Sequence, residues 1–156
     1  MKIFLPIVQS LRPLQWTKNG FVLIPLLFAQ KVFHYPSLSV SLEALVIFCF
    51  LSSANYLIND LFDLEVDRRH PTKKNRPMAS GLISAKVAIL TAVVLLVISL
   101  TWGSIIVTSF LLVMAFYILI QFLYNYRLKT IPILDIFCIS FSFFLRVVAG
   151  AEAIQV

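Results

Sequence analysis

Residues 42–67 read LEALVIFCFLSSANYLINDLFDLEVD. The stretch opens as an almost unbroken apolar run and closes on Asn59, Asp60, Asp63, Glu65 and Asp67. A run of about 20 apolar residues is what an α-helix needs to cross a bilayer core. The stretch therefore predicts a membrane-spanning helix that ends in a patch of oxygen-bearing side chains. At about 100° per residue, Asn59, Asp63 and Asp67 spread over only about 80° of one helical face. Asn55 extends that face one turn toward the bilayer, and Asp60 lies to one side.

The same apolar pattern recurs over residues 16–33, 83–101 and 105–124, and from 132 onward. With the run at 42–63, this predicts about five spans. The expected fold is all-α, a polytopic transmembrane helical bundle forming one domain over residues 1–156. Composition agrees. Of 156 residues 60% are hydrophobic and 13% charged, about half the charged share of a soluble domain, and mean hydropathy is +0.95. Too few polar residues remain to cover a water-facing surface, which excludes a soluble enzyme, a disordered tail and a DNA-binding module.

Net charge is +6, from 13 Lys and Arg against 7 Asp and Glu. With the N-terminus cytoplasmic, eleven basic residues from Lys2 to Lys129 fall on the cytoplasmic side and only Lys31 on the other, while Arg146 lies inside a span. This is the positive-inside asymmetry of a multi-pass cell-membrane protein, and it needs no nucleic-acid partner. Lys2, the short apolar run 3–8 and Arg12 make a poor signal peptide and a better in-plane amphipathic segment. Cys49 and Cys138 sit in apolar runs without metal-ligand spacing, and read as small packing residues.

Charges at membrane depth are costly and mark function. Three oxygen ligands one turn apart repel one another unless a cation sits among them. Mg²⁺ suits such ligands, and it binds through one or two carboxylates together with substrate phosphates. The acidic ladder thus implies a phosphate-bearing substrate. A solvated helix end accounts for Glu65, and for Asp67 taken alone, but poorly for the ladder. The next ten residues, 68–77, read RRHPTKKNRP, and six of them can carry positive charge. Arg and Lys clamp phosphate oxygens, although a cytoplasmic loop is basic in any case; His70 reads as structural. Residues 124–129, YNYRLK, form a second cluster on the same side, either a phosphate contact or an aromatic belt with a basic flank. Asp135 and Arg146 lie within about 20° of one face but roughly 16 Å apart along the axis, too far to pair. Arg146 should face the bundle interior, toward a Mg²⁺-bound diphosphate, the ladder or an acid on another helix.

These motifs resemble the UbiA-type membrane prenyltransferases. Asn59, Asp60, Asp63 and Asp67 match that family's first aspartate-rich motif, NDxxDxxxD, and residues 76–81, RPMASG, match its following loop. Four further stretches resemble the branch that transfers phosphoribosyl groups to polyprenyl phosphates: LRPLQWTKN at 11–19, DRRHPTK at 67–73, YNYRLK at 124–129 with Pro132 and Asp135, and LRVVAG at 145–150. The resemblance implies a Mg²⁺-dependent transfer from 5-phosphoribosyl diphosphate to a polyprenyl (decaprenyl) phosphate, with release of diphosphate, in cell-wall synthesis. It implies that Asn59, Asp63 and Asp67 are the catalytic, metal-holding residues. It gives phosphate contacts to Lys18, Arg68, Lys73, Arg76, Tyr124, Lys129 and Arg146, with Asn55, Asp60 and Asp135 behind them. The active site would lie on the cytoplasmic side.

Family members have about nine spans and a second aspartate-rich motif, whereas this chain has room for about five and lacks that motif. It resembles the N-terminal half of a nine-helix transferase, to be completed by a C-terminal half or by a homo-oligomer. Two alternatives stand beside this reading. One is a prenyltransferase of the same family that moves a prenyl group from its diphosphate to an aromatic or tetrapyrrole acceptor. The other is an inactive fragment or a non-enzymatic membrane partner.

Overall fold

The computed structural model describes residues 4–156, so Lys2 and the start of the expected in-plane segment lie outside the described residues. The described residues are mostly helical, and no strand occurs among them. Helix α1 (Phe4–Leu11) exposes Phe4 and Leu5 while burying Pro6 and Ser10. Arg12, with a left-handed backbone (φ 54°), turns the chain into an eleven-residue 3₁₀ helix, Pro13–Leu23. The short helix α2 (Ile24–Phe28) continues it.

Among the described residues four helices are long and apolar enough to cross a membrane: α3 (Tyr35–Phe62), α5 (Ala85–Ile106), α6 (Thr108–Tyr126) and α7 (Pro132–Ile154). The short α4 (Leu64–Arg69) comes directly after α3. The expected span at 16–33 is not a helix of that kind: it is the 3₁₀ segment and α2, ended by the turn at Ala29 and Gln30. At about 2.0 Å rise per 3₁₀ residue and 1.5 Å per α residue, those sixteen residues still reach roughly 30 Å.

The packing follows from residue size. On α5, Ala88, Ala92, Ser99 and Gly103 are buried and recur at helical spacing, the small-residue stripe that lets membrane helices approach closely. Ala88 and Ala92 pack in one cluster with Ala54 and Leu57 of α3, while Gly103 lies against Met114 and Phe110 of α6. Ile89, Leu90, Val93, Val94 and Val97 on the other side of α5 are exposed, as lipid contact requires. Phe48 packs edge-on against Phe110 and Tyr117 at the centre of the core. Trp102 Nε1 donates to Glu43 Oε2 at 2.9 Å and ties the far ends of α5 and α3.

The 3₁₀ segment is held by polar contacts instead. Trp16 Nε1 donates to Ser53 Oγ at 2.9 Å, and Asn19 Nδ2 donates to Ser52 Oγ at 3.0 Å. Against α7 the fit is backbone to backbone: a Cβ at Gly150 would overlap the carbonyl of Val22. Backbone cannot yield as a flexible side chain can. Gly150→Val is therefore expected to cost about 1–3 kcal/mol by overpacking, read as a lower thermal unfolding midpoint in detergent, whereas Ala149→Gly leaves this contact untouched.

Candidate functional site

The long helices alternate in direction, so the end of α3 meets the end of α6 and the start of α7. Most of the basic residues gather there. Helix α3 stops at Asp63, whose backbone (φ −91°, ψ 0°) leaves the helical region. The i→i−4 spacing nevertheless survives the break: Asp63 N–H bonds to Asn59 O at 3.0 Å and Asp67 N–H to Asp63 O at 2.8 Å. The ladder expected from the sequence therefore persists in the backbone, while its side chains part company.

Asp63 pairs with Lys129, and the same ammonium reaches Asn59 Oδ1 at 3.5 Å. Asp67 is buried and takes Arg76 Nη1 at 2.6 Å, while that nitrogen also reaches Asp60 Oδ1 at 3.3 Å. Asp60 is buried as well, and Arg12 bonds to its Oδ1 from the other side, stacked over the Tyr56 ring. Arg12, Asp60, Arg76 and Asp67 thus form one connected ionic network. It joins the turn after α1, helices α3 and α4, and the loop after α4.

Below this rim lies a cavity of about 260 Å³. Its walls come from the 3₁₀ segment, α3, α6 and α7. A polar seam crosses it: Asn55 Nδ2 donates to Gln121 Oε1 at 2.9 Å, and Asn125 Nδ2 donates to Asn55 Oδ1 at 2.8 Å. Arg146, 4% exposed, closes the deep end. Its Nε donates to Asn19 Oδ1 at 2.9 Å, its Nη1 to Ser142 O at 2.7 Å and its Nη2 to Tyr117 Oη at 3.0 Å.

Several expected site residues converge and others do not. Asn59, Asp63 and Lys129 meet at the rim, and Lys18, Asn55, Asn59, Tyr124 and Arg146 line the cavity. Asp135 lies beside Tyr124. Arg68 instead pairs with Glu65 in the open at 2.8 Å, and Lys73 is exposed on the loop away from the cavity lining. Asp60, expected to one side, is a centre of the ionic network. Arg146 has no acid partner on another helix among the described residues. Asn19, Tyr117, Gln121, Asn125 and Ser142 were not expected. On α6 the signal was there to read: Tyr117, Gln121 and Asn125 stand at i, i+4 and i+8 in a mostly apolar helix, one face by the same arithmetic that groups Asn55, Asn59 and Asp63.

The donor chemistry at the rim fits a hard cation. No three His, Cys, Asp or Glu side chains form a ready cage among the described residues. Mg²⁺ uses few protein oxygens when phosphates supply the rest, and Asn59 and Asp63 present that number. Asp67 Oδ1 is a buried carboxylate oxygen with no hydrogen-bond partner among the described residues. Such an oxygen is costly unless a cation or its bound water faces it.

Residues 20–156 match the UbiA prenyltransferase family. The chain is 38% identical over 154 residues to the decaprenyl-phosphate phosphoribosyltransferase of Mycolicibacterium smegmatis, which covers 96% of this chain and 48% of that protein. To the protein of the same name from Corynebacterium glutamicum it is 38% identical over 150 residues, covering 94% and 45%. The chain therefore spans about half the length of these relatives. It also superposes with a TM-score of 0.78 on a UbiA homologue from Archaeoglobus fulgidus bound to GPP and Mg²⁺, at 25% identity, covering 97% of this chain and 54% of that one.

Proposed function

The chain belongs to the UbiA prenyltransferase family, a multi-pass membrane protein by its four long apolar helices, and from that premise we propose that it carries the donor-binding half of a polyprenyl-phosphate phosphoribosyltransferase site. The observation that carries the reading is the meeting of Asn59, Asp63 and Lys129 at the mouth of a polar cavity. Similarity along nearly the whole chain to relatives named decaprenyl-phosphate phosphoribosyltransferase supports the donor and the acceptor. The basic loops at this end support a cytoplasmic site.

In this reading Asn59, Asp63 and Asp67 are the residues that would hold Mg²⁺ with the diphosphate of 5-phosphoribosyl diphosphate. Mg²⁺ would supply a positive charge where the leaving diphosphate gains negative charge. Lys129 gives the same help from the protein and moves from Asp63 to the diphosphate as the donor enters. Tyr124 orients the phosphates. Arg76 keeps Asp60 and Asp67 in place from behind rather than touching the donor. The ribose C1–O bond to diphosphate breaks, and a bond from C1 to an oxygen of the lipid phosphate forms. That phosphate is already ionised, so the site needs orientation and charge stabilisation rather than a strong base.

Membranes carrying the protein, fed with ribose-labelled 5-phosphoribosyl diphosphate and a polyprenyl phosphate, are expected to move label into the lipid phase only with Mg²⁺ present. If label reaches product only from a prenyl diphosphate, and the product is aromatic, the donor assignment is wrong and the other chemistry of the family holds.

A further inference from the structure

Arg12 stands at the outer end of the ionic network, where it meets Asp60. Its place is fixed from several sides. Ile7 and Leu11 pack α1 against the cluster that holds Ala54, Leu57, Met78 and Ile83. The Leu11 carbonyl accepts from Ser53 Oγ at 2.9 Å. The Arg12 guanidinium lies 4.9 Å from the centre of the Tyr56 ring. Its backbone is left-handed (φ 54°). That conformation is costly for a residue other than glycine, and persists where the surroundings over-determine it.

The distances at Arg76 say what this anchored cation does. Arg76 Nη1 sits 2.6 Å from Asp67 Oδ2 and 3.3 Å from Asp60 Oδ1. Two buried carboxylates therefore compete for one nitrogen. Charges attract more strongly where solvent screens them less. An Asp60 with no other cation would draw Arg76 away from Asp67. Arg12 prevents this by neutralising Asp60 from the opposite side. Arg76 then holds Asp67 by Oδ2, and Oδ1 is the oxygen left without a hydrogen-bond partner among the described residues.

We propose that Arg12 is a positioning residue: through Asp60 and Arg76 it sets how Asp67 is held and which of its oxygens stays free. Giving that free oxygen to Mg²⁺ rests on the function proposed above; the ionic relay does not. The consequence runs against what charge alone suggests. Removing the acid Asp60 should spare the cation site, and removing the base Arg12 should damage it.

The test is equilibrium binding of radiolabelled inorganic diphosphate, with excess Mg²⁺, to the purified full chain in nanodiscs. Arg12→Gln is expected to weaken binding about tenfold, the low end of what outer partners of metal ligands contribute. Asp60→Asn should leave it within about twofold, because Arg76 then serves Asp67 alone. Arg12→Gln combined with Asp60→Asn should return it to within about twofold of the parent, since the two changes act through one network. A merely structural residue would lower the melting midpoint and leave the affinity of the folded protein alone. Parent-like affinity in Arg12→Gln therefore overturns the proposal. A loss that persists in the double variant also overturns it, and makes Arg12 a direct ligand contact. Where Arg12→Gln alone does not fold, the double variant decides by that same criterion. A parent protein that binds no diphosphate sinks the function proposed above, and melting midpoints then decide this proposal. Arg12 and Asp67 share no direct partner, so Arg12→Gln and Asp67→Asn should be milder together than the sum of their separate shifts only if the relay joins them. Additive shifts overturn it.

Discussion

Asp63→Asn is expected to lower Mg²⁺-dependent transfer at least about a hundredfold, the scale on which removing one charge-stabilising group acts on a developing negative charge. The fold should survive it. The Asp63 and Lys129 side chains are 25% and 22% exposed, and partly exposed ion pairs contribute little to stability. The junction between α3 and α4 uses the Asp63 backbone, not its carboxylate: no side-chain cap bond is present there. Label transfer and the thermal unfolding midpoint, measured on one preparation, separate the two effects. Full transfer by Asp63→Asn would remove this carboxylate from the metal site. A collapsed midpoint would show that its role is structural.

Arg76→Ala should do the reverse. Its Nη1 serves two carboxylates, Asp67 at 2.6 Å and Asp60 at 3.3 Å, only 2% and 3% exposed. Without it Asp67 is left as a buried charge with no basic partner among the described residues, and Asp60 retains Arg12 alone. Breaking a buried pair by removing one partner costs about 3–5 kcal/mol. The expected result is a protein that unfolds at much lower temperature and is cleaved readily in the loop after α4. Arg76→Lys should recover only part of this, since a single ammonium does not reproduce the planar fork of guanidinium. The double change Arg76→Ala with Asp67→Asn should be milder than Arg76→Ala alone, because it also removes the stranded charge. If Arg76→Ala melts like the parent, the network does not hold this end of the molecule together.

Four long helices could be read from apolar run length alone, because a membrane span is set by one dimension of the bilayer. The segment at 16–33 departs from that reading for the same reason. A hydropathy window registers apolar content and is blind to whether three or 3.6 residues fill a turn. The candidate site was legible by residue type at Asn59, Asp63, Lys129 and Arg146, which the fold brings to one rim and one cavity. Partners were not: Lys129 is 66 residues from Asp63, and Arg146 is 127 from Asn19. Such pairings depend on how helices cross. Arg68 and Lys73 show the limit from the other side, since a basic loop satisfies membrane topology and substrate binding with the same residues, and only position tells them apart. Asp60 shows a further limit. Its offset from the ladder face follows from helical arithmetic, but what an offset residue touches is decided by Arg12 and Arg76, which approach from two separate segments.

In the 3₁₀ segment three residues make a turn, so side chains three apart eclipse instead of drifting around the axis. Trp16, Asn19 and Val22 therefore stand in a straight file. The file meets Ser53, then Ser52, then the buried core cluster that Val22 joins. It behaves like the bit of a key, with teeth in a single line. Removing or adding one residue would swing every tooth beyond that point by about 120°, while a change of three would restore the line one notch along. This part of the chain should thus tolerate length changes only in threes.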